Sequence, residues 1–253
     1  MTGTYRENLH ALAGAQKGAA RSAPAYSRFV NRRLGRLLAA GAVRLGATPN
    51  QVTAVSAVFT FAGIALLVLL GPSWWSGLLV GVLLILGYAF DSADGQVARL
   101  TRTGGPAGEW LDHAVDSVKV VALPLALMVG CYRFETGPRW WLIVPLVHAV
   151  VSSVLFFAMI LTEQLRRSRG VVSKAATGGR APWLRSVLVV PTDYGLLCLL
   201  FLLRGATPVF LVGYTLVVAA TTLFLAAALV RWFREMGSLP PAPAITSSPE
   251  STT

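Results

Sequence analysis

Residues 91–116 read DSADGQVARLTRTGGPAGEWLDHAVD, and this stretch decides how the rest of the chain is understood. Four carboxylates, Asp91, Asp94, Asp112 and Asp116, stand here in a chain that is otherwise apolar and basic. Asp91 and Asp94 are three residues apart, and Asp112 and Asp116 are four apart. On helices, each spacing places both acids on one face. Between the pairs, Thr103, Gly104, Gly105 and Pro106 form a short break. The spacing therefore predicts two antiparallel helices whose acidic faces meet. Four such charges require cations, and hard oxygen ligands suit Mg²⁺, Mn²⁺ or Ca²⁺. We expect a binuclear metal site at a membrane boundary.

The membrane follows from composition. Of 253 residues, 55% are hydrophobic and 13% charged, with a mean hydropathy of +0.62. Soluble domains carry about 25% charged residues. The net charge of +11 does not point to nucleic acid in so apolar a chain. In a membrane protein it points to cytoplasmic loops and anionic headgroups. Cys131 and Cys198 lie in or beside apolar runs and read as small apolar residues rather than a disulfide framework. The polar, basic residues 1–48 and the long run after them do not read as a cleavable signal.

Residues 45–90 contain no charged side chain, too many for one span of ~20 residues. Gly71, Pro72 and Ser73 divide them, and Trp74 and Trp75 mark an interface. The expected spans are residues 49–70, 74–100, 106–132, 138–165, 183–203 and 208–236. Thr48 and Pro49 supply the cap and first turn of the first. Before it, Phe29, Val30, Leu34, Leu37, Leu38, Val43 and Leu45 interleave with Arg28, Arg32, Arg33, Arg36 and Arg44, as in an amphipathic helix lying on an anionic surface. The expected fold is all-α and polytopic, with six transmembrane helices behind a juxtamembrane helix. Residues 1–25 are expected to be mobile, residues 26–236 to form the membrane domain, and residues 237–253 to be a disordered tail. Eighteen of the 22 Lys and Arg fall before the first span, after the second, after the fourth or at the end of the sixth. Both termini and the acidic site are therefore expected on the cytoplasmic side of the cell membrane.

The motif is D-x-x-D-G-x-x-A-R, eight residues, then G-x-x-x-D-x-x-x-D. Gly95, Ala98 and Gly108 share faces with the aspartates and leave room for a ligand against the backbone. Arg99 offers a forked donor to phosphate oxygens. Carboxylates, a divalent metal and arginine are equipment for moving a phosphoryl group. The other class open to membrane acids is a divalent-cation channel or carrier, which has no need of Gly95, Ala98 and Arg99 at these spacings.

The stretch resembles the signature of the CDP-alcohol phosphotransferase family at every defining position, and six spans behind a juxtamembrane helix are similar to that family too. The resemblance implies attack of a hydroxyl on the β-phosphorus of a CDP-linked alcohol, with CMP leaving. It implies two divalent cations, Mg²⁺ or Mn²⁺, on Asp91, Asp94, Asp112 and Asp116, and Asp116 as base for the attacking hydroxyl. Gly95, Ala98, Arg99 and Gly108 would line the CDP pocket beside Asp91 and Asp94. Pro49, Asn50 and Thr53 are similar to a further family motif, although Thr48, Pro49 and Asn50 also read as a plain helix start. Gly108 to Ser117, GEWLDHAVDS, resembles choline and ethanolamine phosphotransferases, where the histidine competes for the role of base. His113 stands there in this chain, as base or as a hydrogen-bonding neighbour of a carboxylate.

The donor is then CDP-diacylglycerol with a polar alcohol acceptor, in phospholipid biosynthesis, or a CDP-linked small alcohol with a lipid hydroxyl acceptor. A homodimer is implied by the family. Lys119 either pairs with a site carboxylate or reaches a substrate phosphate. Asp193 either contacts the acceptor or pairs with an arginine. His148 reads as a satisfied polar residue. The basic residues 166–185 either contact an anionic acceptor or simply mark the cytoplasmic side.

Overall fold

The computed structural model describes residues 4–15, 25–171 and 193–240. Helix α1 (Tyr5–Ala15) is followed by a π-helical turn (Ser27–Asn31) that runs into α2 (Arg32–Arg44). Then come α3 (Pro49–Leu69), α4 (Trp74–Thr101) and α5 (Pro106–Arg133). A 3₁₀ turn (Arg139–Leu142) leads into α6 (Ile143–Ser168), and α7 (Tyr194–Phe201) and α8 (Thr207–Gly237) complete the set. Among the described residues, five helices are long and apolar enough to cross a membrane: α3, α4, α5, α6 with its 3₁₀ lead, and α8. The chain is an all-α, polytopic integral membrane protein. Of the span expected at 183–203, residues 183–192 lie outside the described residues. So do Lys174, Arg180 and Arg185 of the basic stretch and most of the expected tail.

Local chemistry sets the helix starts. Thr48 and Gln51 form a reciprocal capping box at α3, with Gln51 N donating to Thr48 Oγ1 (3.3 Å) and Thr48 N to Gln51 Oε1 (2.9 Å). Pro49 occupies the first helical position, where no N–H is needed. Ser73 and Ser76 repeat the device at α4. Each cap contributes about 0.5–2 kcal/mol.

The spans meet through small residues. A Cβ on Gly87 would lie 2.1 Å from Thr60 Oγ1 and 3.0 Å from Thr60 N, so α3 and α4 touch backbone to backbone there. The Ser56 hydroxyl donates to Gly87 O across 2.8 Å at the same crossing. A Cβ on Gly130 would meet Leu67 O at 2.2 Å, which brings α5 equally close to α3. Around these crossings, Leu67, Val80, Leu84, Leu123, Leu127, Phe201, Phe210 and Tyr214 form the main core. His148 joins it as a satisfied polar residue: its Nδ1 is 2.6 Å from the Tyr214 hydroxyl. Cys131 and Cys198 are free and buried, as their apolar surroundings suggest.

Two arrangements differ from the sequence expectation. Within the stretch expected to be mobile, residues 5–15 are helical. Thr4 and Glu7 cap each other (Thr4 N to Glu7 Oε2, 2.8 Å; Glu7 N to Thr4 Oγ1, 3.4 Å), and Leu12 is buried against α2. In α2, the face turned to the protein is the small-residue one, Gly35, Ala39, Ala40 and Val43, packed over Ala93 and Val97 of α4. Phe29, Leu37 and Leu45 face outward. That leaves apolar and basic groups outside, as an interfacial helix requires.

Candidate active site

The α4–α5 hairpin builds the site. Arg102 closes α4 in the left-handed region (φ 57°), and Thr103 N returns to Ala98 O at 3.2 Å. Gly105 is the extended cap of α5 and Pro106 its first residue. The reversal is this short because the left-handed Arg102 turns the chain at once. It sets the end of α4 beside the start of α5.

The carboxylates of Asp91, Asp112 and Asp116 then offer oxygens that all lie within 4.8 Å of one another. The fourth, Asp94, is engaged elsewhere. It is buried, and its Oδ2 accepts a hydrogen bond from Thr53 of α3 across 2.7 Å. Three of the four acids thus share one spot, and the fourth stands at its edge on the α3 side. Three anions this close repel one another strongly in a low-dielectric setting. Lys119 lowers that cost. Its Nζ lies 3.2 Å from Asp91 Oδ1 and in closer contact with Asp116 Oδ1. The ammonium also sits 5.2 Å from the centre of the Tyr194 ring. A cluster of hard carboxylate oxygens from Asp91, Asp112 and Asp116 fits a divalent cation.

The helix faces beside the carboxylates carry small residues. A Cβ built on Gly95 would meet only Arg99 Nη1, at 3.6 Å, so the space before Gly95 is open. Ala98 is half-buried and Arg99 exposed, one turn further along α4. Gly108 faces Asn50, whose Oδ1 would lie 3.3 Å from an added Cβ. Asn50 and Thr53, on the first turns of α3, therefore flank the hairpin on the side of Gly108 and Asp94.

His113 is half-exposed. Its Nδ1 lies 4.0 Å from Asp112 Oδ2 and its Nε2 3.9 Å from Glu109 Oε1. Its ring meets Phe156 of α6 edge-on at 6.2 Å. Among the described residues Asp193 pairs with no arginine: its Oδ1 accepts from Gly195 N and its Oδ2 from Ser27 N, both at 3.1 Å. It caps α7 and fastens the π-turn before α2. Arg166 and Arg167 are also engaged, Arg166 through a two-pronged contact with Glu235 (2.7 and 2.8 Å) and Arg167 with Glu109 (2.7 Å). Tyr194 and Glu109 are site neighbours to which sequence reasoning gave no role, and Arg167 was not expected to pair with Glu109. Their pairings join distant helices and leave no local spacing to read. The cavity of about 640 Å³ lined by Leu70, Ser73, Trp75, Leu78, Leu79 and Val82 lies at the α3–α4 turn, the far end of α4 from Asp91.

Known proteins share this architecture. The sequence profile of the CDP-alcohol phosphatidyltransferase family matches residues 47–239. Cholinephosphotransferase 1 of Xenopus laevis is 31% identical over 104 residues, 39% of this chain and 26% of that protein. Phosphatidylinositol phosphate synthase of Corynebacterium glutamicum is 35% identical over 115 residues, 46% of this chain and 51% of that protein. The matches thus span about a quarter to a half of these relatives' length. The crystal structure of phosphatidylinositol phosphate synthase from Mycobacterium tuberculosis, with CDP-DAG bound, has the same fold. It superposes with a TM-score of 0.54 at 22% identity, over 85% of this chain and 99% of that one. With its acidic hairpin inside the matched segment, the chain belongs to the CDP-alcohol phosphatidyltransferase family.

Proposed function

We propose that the protein transfers a substituted phosphate from a CDP-alcohol, CDP-diacylglycerol in the main reading, to a hydroxyl acceptor in phospholipid synthesis. The observation that carries this is the convergence of Asp91, Asp112 and Asp116 from two adjoining helices. It occurs inside the segment that matches a family of CDP-alcohol transferases. The acceptor oxygen forms a bond to the β-phosphorus. The bond from that phosphorus to the bridging oxygen breaks, and CMP leaves with the bridging oxygen.

Divalent cations, Mg²⁺ or Mn²⁺, would neutralise the diphosphate and make CMP a better leaving group. Asp91, Asp112 and Asp116 would hold them, with Asp94 alongside, fixed by Thr53. Arg99 directs its guanidinium to the diphosphate, while Gly95, Ala98 and Gly108 let the nucleotide lie close to the helix backbones, with Asn50 at the edge. The acceptor hydroxyl gives up its proton at the α5 side. Asp116, in contact with Lys119, and His113, beside Asp112 and Glu109, are the two groups there that could take it. The Lys and Arg distribution supports a site, and both termini, on the cytoplasmic face.

A second reading keeps the chemistry and exchanges the partners: a CDP-linked aminoalcohol donates to a lipid hydroxyl. His113 within GEWLDHAVDS and the likeness to a cholinephosphotransferase favour it. The test is CMP release by protein in lipid nanodiscs, with CDP-diacylglycerol plus a panel of polar alcohols against CDP-choline and CDP-ethanolamine plus diacylglycerol. Release with CDP-diacylglycerol alone supports the main reading. Release with a CDP-aminoalcohol replaces it with the second, and release with none of them refutes both.

A further inference from the structure

A polar cavity of about 480 Å³ opens where α5 ends and the 3₁₀ turn before α6 begins. It lies at the opposite end of α5 from the acidic cluster. From Asp116 to Arg133 the helix rises about 26 Å, close to the thickness of a bilayer's hydrocarbon. The cavity therefore sits at headgroup level on the other membrane face. Tyr132 and Trp140 are exposed there, as interfacial aromatics are. Arg133, Glu135 and Arg139 line the cavity. All three are exposed, and among the described residues none of them forms an ion pair. Arg133 is steadied by other means: its Nη1 donates to Val68 O across 3.3 Å, and its guanidinium lies 5.4 Å from the centre of the Phe134 ring.

Glu135 adds a second observation. It stands just past α5 in the left-handed region (φ 48°), where Thr136 N returns to Cys131 O at 2.9 Å. Glycine is the usual residue at such a helix end. A glutamate held there against its backbone preference is the kind of strain that gathers at ligand sites. Two forked donors and one carboxylate around a single cavity complement a phosphate with a cation close by. At this depth the abundant molecules of that kind are lipid headgroups. We propose that the cavity binds a phospholipid headgroup that carries a primary ammonium beside its phosphate, as phosphatidylethanolamine does. Arg133 and Arg139 take the phosphate, and Glu135 takes the ammonium. A headgroup with a phosphate and no cation leaves Glu135 facing an anion. A quaternary ammonium has no N–H to give the carboxylate. The site is separate from the acidic hairpin and does not depend on the reaction proposed for it.

The test is native mass spectrometry of the full chain in detergent. The protein is titrated with phosphatidylethanolamine, phosphatidylcholine and phosphatidylglycerol of the same acyl chains. The phosphatidylethanolamine adduct should be the tightest, and it should weaken about tenfold in both Arg133→Gln/Arg139→Gln and Glu135→Gly. Glycine relieves the left-handed backbone, so the unfolding temperature of Glu135→Gly should hold or rise while the lipid is lost. A glutamate with only a structural role would not separate the two readouts. Equal retention of the three lipids, a preference for phosphatidylcholine or phosphatidylglycerol, or a phosphatidylethanolamine adduct unchanged in the variants overturns the proposal. If the double variant does not fold, Glu135→Gly decides alone.

Discussion

The Thr53 hydroxyl donates to the Asp94 carboxylate across 2.7 Å, and both groups are buried. This bond ties the first membrane helix to the acidic hairpin and fixes the direction in which Asp94 points. Thr53→Val removes the donor at nearly constant volume and leaves a buried carboxylate short of a partner, at a cost of about 1–3 kcal/mol. We expect a lower unfolding temperature in detergent and weaker donor binding, seen as a raised KM for the CDP-alcohol. Thr53→Ser should restore both, and an unaffected Thr53→Val would separate Asp94 from donor binding.

Removal of divalent ions with a chelator should abolish CMP release, and Mg²⁺ or Mn²⁺ should restore it. Asp112→Asn keeps the shape and removes one ligand charge. A loss of transition-state stabilisation of several kcal/mol predicts at least a roughly hundredfold fall in turnover at saturating donor. Activity that survives chelation would show that the carboxylates act without metal.

His113 and Asp116 give distinct signatures. If His113 takes the proton, His113→Gln lowers kcat by about 10²–10⁴-fold, while Mn²⁺ binding persists. Asp116→Asn should impair metal binding as well as turnover. A His113→Gln enzyme with an unchanged kcat would return the role of base to Asp116.

Gly130 lies against the α3 backbone, where an added Cβ would sit 2.2 Å from Leu67 O. Gly130→Val must separate α3 from α5, and overpacking of this kind costs about 1–3 kcal/mol or more. The expected result is a lower unfolding temperature with the acidic cluster's own residues unaltered. Gly41→Ala, where nothing lies within 4 Å of the added Cβ, is the matched control and should be near neutral.

The hairpin was legible because its information is local. Asp91, Asp94, Asp112 and Asp116 lie within 26 residues, and two helical spacings joined by a glycine turn leave few arrangements. The spans were legible because long uncharged runs are. The partner of Asp94 was not, since it depends on how α4 is rotated against α3, which Gly87 and Thr60 decide at a crossing more than one turn away. Helix α1 escaped notice although its signal was present. Thr4 and Glu7 are spaced as a capping box, but the Ala- and Gly-rich sequence around them has no apolar period, and Leu12 finds its cover only on α2. The engagement of Asp193 with Ser27 links residues 166 positions apart, beyond any local pattern.

The reversal after Arg102 works as a ruler. Both halves of the acid cluster are measured from it, Asp91 backward along α4 and Asp112 and Asp116 forward along α5. One inserted residue between Thr103 and Pro106 would turn α5 about 100° on its axis unless the loop absorbed it, and would swing both aspartates and Lys119 away together. Length in this loop is therefore under tighter constraint than its composition. Residues 103–105 should accept many substitutions and very few insertions or deletions, the reverse of an ordinary surface loop.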